Sequence, residues 1–405
     1  MSRVFSALIL CSCRRGFALG LSALAAVASQ FWAAPVAAIT IQFDYSYDAA
    51  GFFGTAAAPT PARAALEFAG RAFAPFTDAL AAIQPSGGNS WSAEFRNPGT
   101  GFPTNISNFS VPQDVIVVFA GARDLAGAEI GRAEIGGYRF PPGSNPSMAF
   151  ADAVINRGQG AFAEDFAPWG GSIQFDATTS SGAERPWHFD LNSPPSTNTF
   201  DFFTVAVHEL GHLLGFGTAA AFVAEVSNGQ FVGSTVATLQ GGPAALHPGN
   251  QHWSSDISSA PLISGGQLQP SLGPTLSPGV RKLFTPLDYA AMADIGWAIT
   301  PELLQLPGDV DGDHQVDGSD FLKWQRNLGG FGGSPGDVNG DLVVDHYDGW
   351  LVGQYFGAIG SASALNDPAA VAVPEPCAAL LLTELVAIML TLRSRVRARS
   401  ALGPL

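Results

Sequence analysis

Cysteine is nearly absent from this 405-residue chain, which has three, at Cys11, Cys13 and Cys377, all close to its ends. The body between them therefore offers no disulfide, no thiolate ligand and no thiol nucleophile. Charge is also scarce, at 13% of residues, and it leans acidic, with 19 Lys and Arg against 34 Asp and Glu for a net charge of -15. No basic stripe lies outside the two termini, so nothing is available to neutralise phosphates, and nucleic acid is excluded as a partner. Aspartates crowd between Asp309 and Asp348, which leaves the rest nearer neutral. What is abundant is glycine, at 47, and proline, at 29, beside an apolar fraction of 47%. That mixture predicts a sizeable core, two or three domains, and many strands and loops rather than long solvated helices.

The longest apolar runs belong to the ends. Arg14 and Arg15 precede the run Gly16 to Ala28 and small residues ending at Ala38, the pattern of a signal peptide over 1–38 with Ile39 as the mature start and Ser29 as an earlier cleavage site. The arginine pair also resembles a twin-arginine export motif, leaving Sec and twin-arginine export both open. At the other end, Val373-Pro-Glu-Pro376 is followed by an apolar run from Cys377 to Leu392 and by Arg393, Arg395, Arg397 and Arg399. The run is short for a membrane span and contains Glu384, which suits transient membrane association with the basic tail inside. This tripartite end, 373–405, resembles the PEP-CTERM sorting signal, which implies cleavage by an exosortase-type enzyme and a final extracellular, cell-surface or matrix location. A plain anchor is the alternative.

Two compositional breaks, 301–307 and 361–372, divide the remainder into a body at 39–300 and a module at 308–360. In the body, Ala62 to Ala82 has apolar side chains at helical spacing, with Pro75 predicting a break or kink. Ser107 to Phe109 and Asp114 to Ala120 read as strands, the second apolar enough to be buried on both faces, and Gly171 to Asp176 reads as an edge strand.

The chemistry concentrates in Val205-Ala-Val-His-Glu-Leu-Gly-His-Leu-Leu-Gly-Phe-Gly-Thr218. Residues four apart on a helix point the same way, so His208 and His212 can grip one zinc ion through neutral imidazoles. Glu209 can then reach an attacking water as general base without ligating the metal. Asp201 can cap the helix, and Gly215 and Gly217 permit the left-handed turn that ends it. A third ligand is missing, because the position three beyond Gly215, where metzincin proteases place a histidine, is Thr218. His188, His247 and His252 remain available in the body, with Glu225 and Asp256 as carboxylate alternatives.

The motif, the insertion after it, the pair His252-Trp253 and the stretch Leu283-Phe-Thr-Pro-Leu-Asp-Tyr-Ala-Ala-Met-Ala-Asp-Ile-Gly-Trp297 resemble the leishmanolysin-like metzincins and their secreted bacterial relatives. The resemblance implies an α+β, zincin-type catalytic domain with a mixed sheet and an active-site helix, acting on protein or peptide substrates. It assigns the third zinc ligand to His252. It also implies a methionine-containing turn beneath the metal, where this chain aligns Leu272. A catalytically inactive matrix or cell-surface binding protein is the alternative, which an intact Glu209 disfavours.

In the module, Asp309, Asp311, Asp313, Asp317 and Asp320 fall at loop positions one, three, five, nine and twelve, and Asp337, Asn339, Asp341, Asp345 and Asp348 repeat them. Oxygen ligands alternating around a glycine turn are how a loop wraps Ca2+. Each loop precedes a helical segment, Phe321 to Leu328 and Gly349 to Phe356. The duplicated unit resembles a type I dockerin, a small calcium-binding helical module, which implies a cohesin-like partner through 308–360; a calcium-stabilised spacer is the alternative reading.

Overall fold

Val115–Arg123 and Gly170–Asp176, two almost entirely buried strands, pair in parallel at the centre of a mixed sheet. The computed structural model describes residues 38–359 apart from 264–265, 300–302, 304–305, 332–333 and 340. All of these fall in one compact unit, Ala37–Leu405. The segments read as a signal peptide (1–38, all but its last residue), a linker (361–372) and a sorting signal (373–405) lie outside the described residues. Among the described residues no helix is long and apolar enough to cross a membrane.

In chain order the body contains β1 (Thr40–Asp44), α1 (Pro61–Gly70), β2 (Ser92–Arg96), β3 (Pro103–Ser107), β4 (Val115–Arg123), β5 (Gly131–Ile135), β6 (Gly137–Arg139), α2 (Met148–Asn156), β7 (Gly170–Asp176), α3 (Phe202–Leu213), α4 (Ala220–Ala224), α5 (Ser234–Gln240) and α6 (Pro286–Asp294). The module contributes α7 (Gly318–Asn327) and α8 (His346–Gln354). The main sheet runs β1-β4-β7-β5, with the first three strands parallel and β5 antiparallel at the edge. Alternate residues of β4 feed two cores: Ile116, Val118 and Ala120 join the larger cluster around α1 and α3, while Val117 and Phe119 join the smaller one around Trp91, Phe150 and Trp169. Burial on both faces explains the unbroken apolar run.

Three expectations are corrected. The helix predicted over Ala62 to Ala82 stops at Gly70 and passes into one 3-10 turn over Arg71–Phe73, so the chain leaves helical geometry before Pro75. The strand expected at Ser107 to Phe109 is the end of β3, and Asn108 turns away with φ 54°. The strand at 170–176 is interior rather than an edge, because β5, whose partly exposed residues show no apolar alternation, pairs outside it.

Residues 306–359 form two loop-helix units. The expected linker is not slack: Leu303 and Leu306 are buried in the larger core. The α8 residues Tyr347, Leu351 and Val352 join the same core, and Trp350 packs on Phe203 of α3 with ring centroids 4.9 Å apart.

Candidate metal centre

α3 forms where Asp201 accepts hydrogen bonds from the Thr204 backbone N–H at 3.1 Å and its hydroxyl at 2.7 Å, satisfying the helix start. Arg281 pairs with the same carboxylate at 2.7 Å. Gly215 and Gly217 follow the helix at φ 114° and 72°, so the chain reverses directly after the second histidine. The edge strand β5 lies so close to the helix that a Cβ on Gly131 would sit 2.6 Å from Val205 and 3.0 Å from Glu209, which only glycine avoids. On the opposite side, Leu272 packs beneath Gly211, where a Cβ would meet its Cδ2 at 2.8 Å.

His208 and His212 face each other from consecutive turns with Nε2 atoms 3.1 Å apart. His252 arrives from the insertion and brings its Nε2 to 3.1 Å from that of His212. Burial lowers the pKa of all three imidazoles, that of His252 to about 4, which keeps them neutral. The other ring nitrogens are engaged: His208 Nδ1 lies 2.8 Å from the Ser271 carbonyl and His212 Nδ1 lies 2.9 Å from the Phe216 carbonyl. Because a carbonyl can only accept, both rings carry their proton on Nδ1 and present bare Nε2 lone pairs to one another. Two acceptors at 3.1 Å repel unless a cation lies between them. A tetrahedral zinc with bonds of about 2.0–2.1 Å separates its ligands by roughly 3.3 Å, so the donor set fits zinc.

Glu209 lies on the side of β5, where the Ala133 backbone N–H favours its charged form. Burial raises its carboxyl to about 8, with Glu129 adding to the rise and the Ala133 and Arg132 interactions opposing it. The arrangement combines neutral nitrogen donors with a buried proton acceptor, the equipment of metal-assisted hydrolysis.

The remaining candidates lie elsewhere. Glu225 ends α4, Asp256 is exposed, His188 contacts the Ser193 carbonyl at 2.9 Å and His247 that of Pro248 at 3.1 Å. In the module, Asp309, Asp311 and Asp320 place one carboxylate oxygen each within 4.8 Å of the others, a group able to hold a cation. Asp313 accepts from the Gln315 N–H, and Asp317 and Asp345 cap α7 and α8. In the second loop, Asp337 accepts from the Leu342 N–H, Asp341 from that of Val343, and Asp348 from those of Val338 and Asn339. Reading the sequence did not find Phe216 or Ser271, whose carbonyls meet the histidine rings, or Ala133 near Glu209.

The three histidines brought together by α3 and the insertion after it form a donor set able to hold a metal ion. Residues 149–222, from α2 through α3 to α4, match the family model of the matrixins. That match supports a metzincin-like zinc metallopeptidase. No curated protein and no solved structure matches the chain.

Proposed function

We propose that the chain is an exported zinc endopeptidase in which His208, His212 and His252 hold the ion and Glu209 is the general base. The observation that carries this reading is the convergence of three buried or half-buried Nε2 atoms, with the buried Glu209 next to His208 on the same helix. Zinc bound there would polarise a peptide carbonyl and make water a nucleophile near neutral pH. Glu209 takes the proton of the attacking water and returns it to the leaving amine. The Ser271 and Phe216 carbonyls fix the ring orientation, and the buried surroundings exclude bulk water.

The leishmanolysin-like form of this reading is supported by the third histidine arriving forty residues after the second, next to Trp253, and by Leu272 lying under the helix. In the module, the clustered carboxylates and Asp-capped helices support two calcium loops of dockerin type. α8 spends its apolar face on the body, so a cohesin-like partner would meet α7, where Phe321 and Leu322 are exposed. Export, exosortase processing and a surface or matrix location rest on the two terminal sequences.

Casein hydrolysis by the purified protein with zinc and calcium, run beside Glu209→Ala, tests the proposal. Turnover in the parent alone is expected, and equal turnover in the variant would overturn it.

A further inference from the structure

One carboxylate outside the metal centre is tied to nearly everything that shapes it. Asp288, on the first turn of α6, is fully buried and takes five hydrogen bonds. Two come from the Thr285 backbone and hydroxyl, both at 2.8 Å, and these merely start the helix. The other three reach across the core, from Ser271 N–H at 3.0 Å, Leu272 N–H at 3.3 Å and the indole N–H of Trp253 at 2.9 Å.

Each of those donors belongs to a segment that carries or orients a histidine. Ser271 offers the carbonyl that holds His208 Nδ1. Leu272 fills the space under Gly211, between His208 and His212, and its carbonyl accepts from the Trp253 backbone N–H at 2.9 Å. Trp253 adjoins His252, and its ring packs at 4.9 Å on Phe216, whose carbonyl holds His212 Nδ1. All three imidazoles thus hang on backbone that is tied, directly or through Trp253, to one side chain.

Resting on the zinc reading above, we propose that Asp288 is the positioning residue of the histidine site, fixing the Ser271-Leu272 floor and the Trp253 neighbour of His252 so that three Nε2 atoms converge before metal arrives. A carboxylate suits the task because it accepts at both oxygens. In Asp288→Asn one terminal atom becomes a donor facing N–H groups, so at least one of the three long-range bonds is lost while the side chain keeps its shape.

The test measures zinc affinity of the full chain by competition with a chromogenic chelator, and the cobalt-substituted absorption spectrum as a report on coordination geometry. Asp288→Asn is expected to weaken zinc binding about 10–100-fold and to change the cobalt spectrum. Leu287→Ala, a buried neighbour on α6 whose apolar side chain makes none of these hydrogen bonds, is expected to lower the melting temperature and leave both readouts at parental values. Trp253→Phe removes a single donor and gives a smaller loss of affinity, which keeps the test alive if Asp288→Asn does not fold. Parental affinity and spectrum in folded Asp288→Asn, or in Trp253→Phe if that is the only folded variant, would overturn the positioning role alone. A parent that binds no zinc, or binds it equally after His252→Ala, would overturn the metal-centre reading and the proposal with it.

Discussion

The histidine centre and the acidic loops hold their polar groups over very different lengths of chain. His208 is oriented by a carbonyl 63 residues away and His212 meets a histidine 40 residues away, so this centre exists only when several distant segments have packed. In the first loop, Asp320 accepts from Val310, Asp311 and Asp317, none more than ten residues off. Asp348 repeats that pattern with Val338, Asn339 and Asp345. One region is built by tertiary structure and the other largely by itself. The centre should therefore answer to distant mutations, and the loops to ions.

The largest separation is expected in catalysis. Glu209→Gln should reduce peptide hydrolysis by about 10²–10⁴-fold with the fold unchanged, the loss typical of a general base. Asp317→Ala, in the first loop, should leave turnover per folded molecule at the parental level. A comparable loss in both would show that the two regions are not separate.

Next in size is the response to calcium. Added to metal-free protein at about 100 times its dissociation constant, calcium should stabilise by about 2.7 kcal/mol for each loop that binds it, read as a rise in melting temperature. The gain should persist in His252→Ala and shrink in Asp320→Asn. No gain in the parent would remove the calcium reading of both loops.

These differences also decide what the sequence revealed. The motif from His208 to His212, the Asp201 cap, the following glycines and the doubled loops are local, and each could be read from neighbouring residues. β4 was legible because burial on both faces leaves an unbroken apolar run. β5 was not, since its residues are mostly half-exposed and its defining feature is the contact of Gly131 with α3. Asp288 had a local signature only as the end of a Thr285 capping box; its bonds to Ser271 and Trp253 cross 17 and 35 residues and leave no periodic trace.

The two loop-helix units themselves differ in one respect that the comparison sharpens. Position for position, Ser319 and Leu322 of the first correspond to Tyr347 and Trp350 of the second. Leu322 is 47% exposed, whereas Trp350 packs on Phe68 and Phe203 and donates to the Leu191 carbonyl at 3.2 Å. Trp350→Ala should cost about 2 kcal/mol in urea unfolding, below the range for a fully buried tryptophan because the ring is half-buried. Leu322→Ala should fall within roughly 0.5 kcal/mol of the parent. Equal losses would mean that the α8 face adds nothing to the body.

The smallest effect concerns Arg71, which follows α1 and pairs with Asp345 and, at 3.5 Å, Asp341 while its guanidinium lies 5.2 Å from the centre of the Tyr347 ring. Among the described residues no lysine or arginine pairs with the first loop. Arg71→Met keeps most of the side-chain volume and removes the charge; with all three groups partly exposed, the stability loss should stay under about 1 kcal/mol and shrink as salt is added. Ion binding should move the other way. An arginine and a divalent cation compete for the same carboxylates, so the variant should bind calcium more tightly at the second loop and unchanged at the first. Calorimetric titration separates the two loops when Asp320→Asn is used to silence the first. Weaker binding in Arg71→Met would instead mean that the guanidinium preorganises Asp341 and Asp345 for the ion, and that the second loop, unlike the first, depends on the body for its shape.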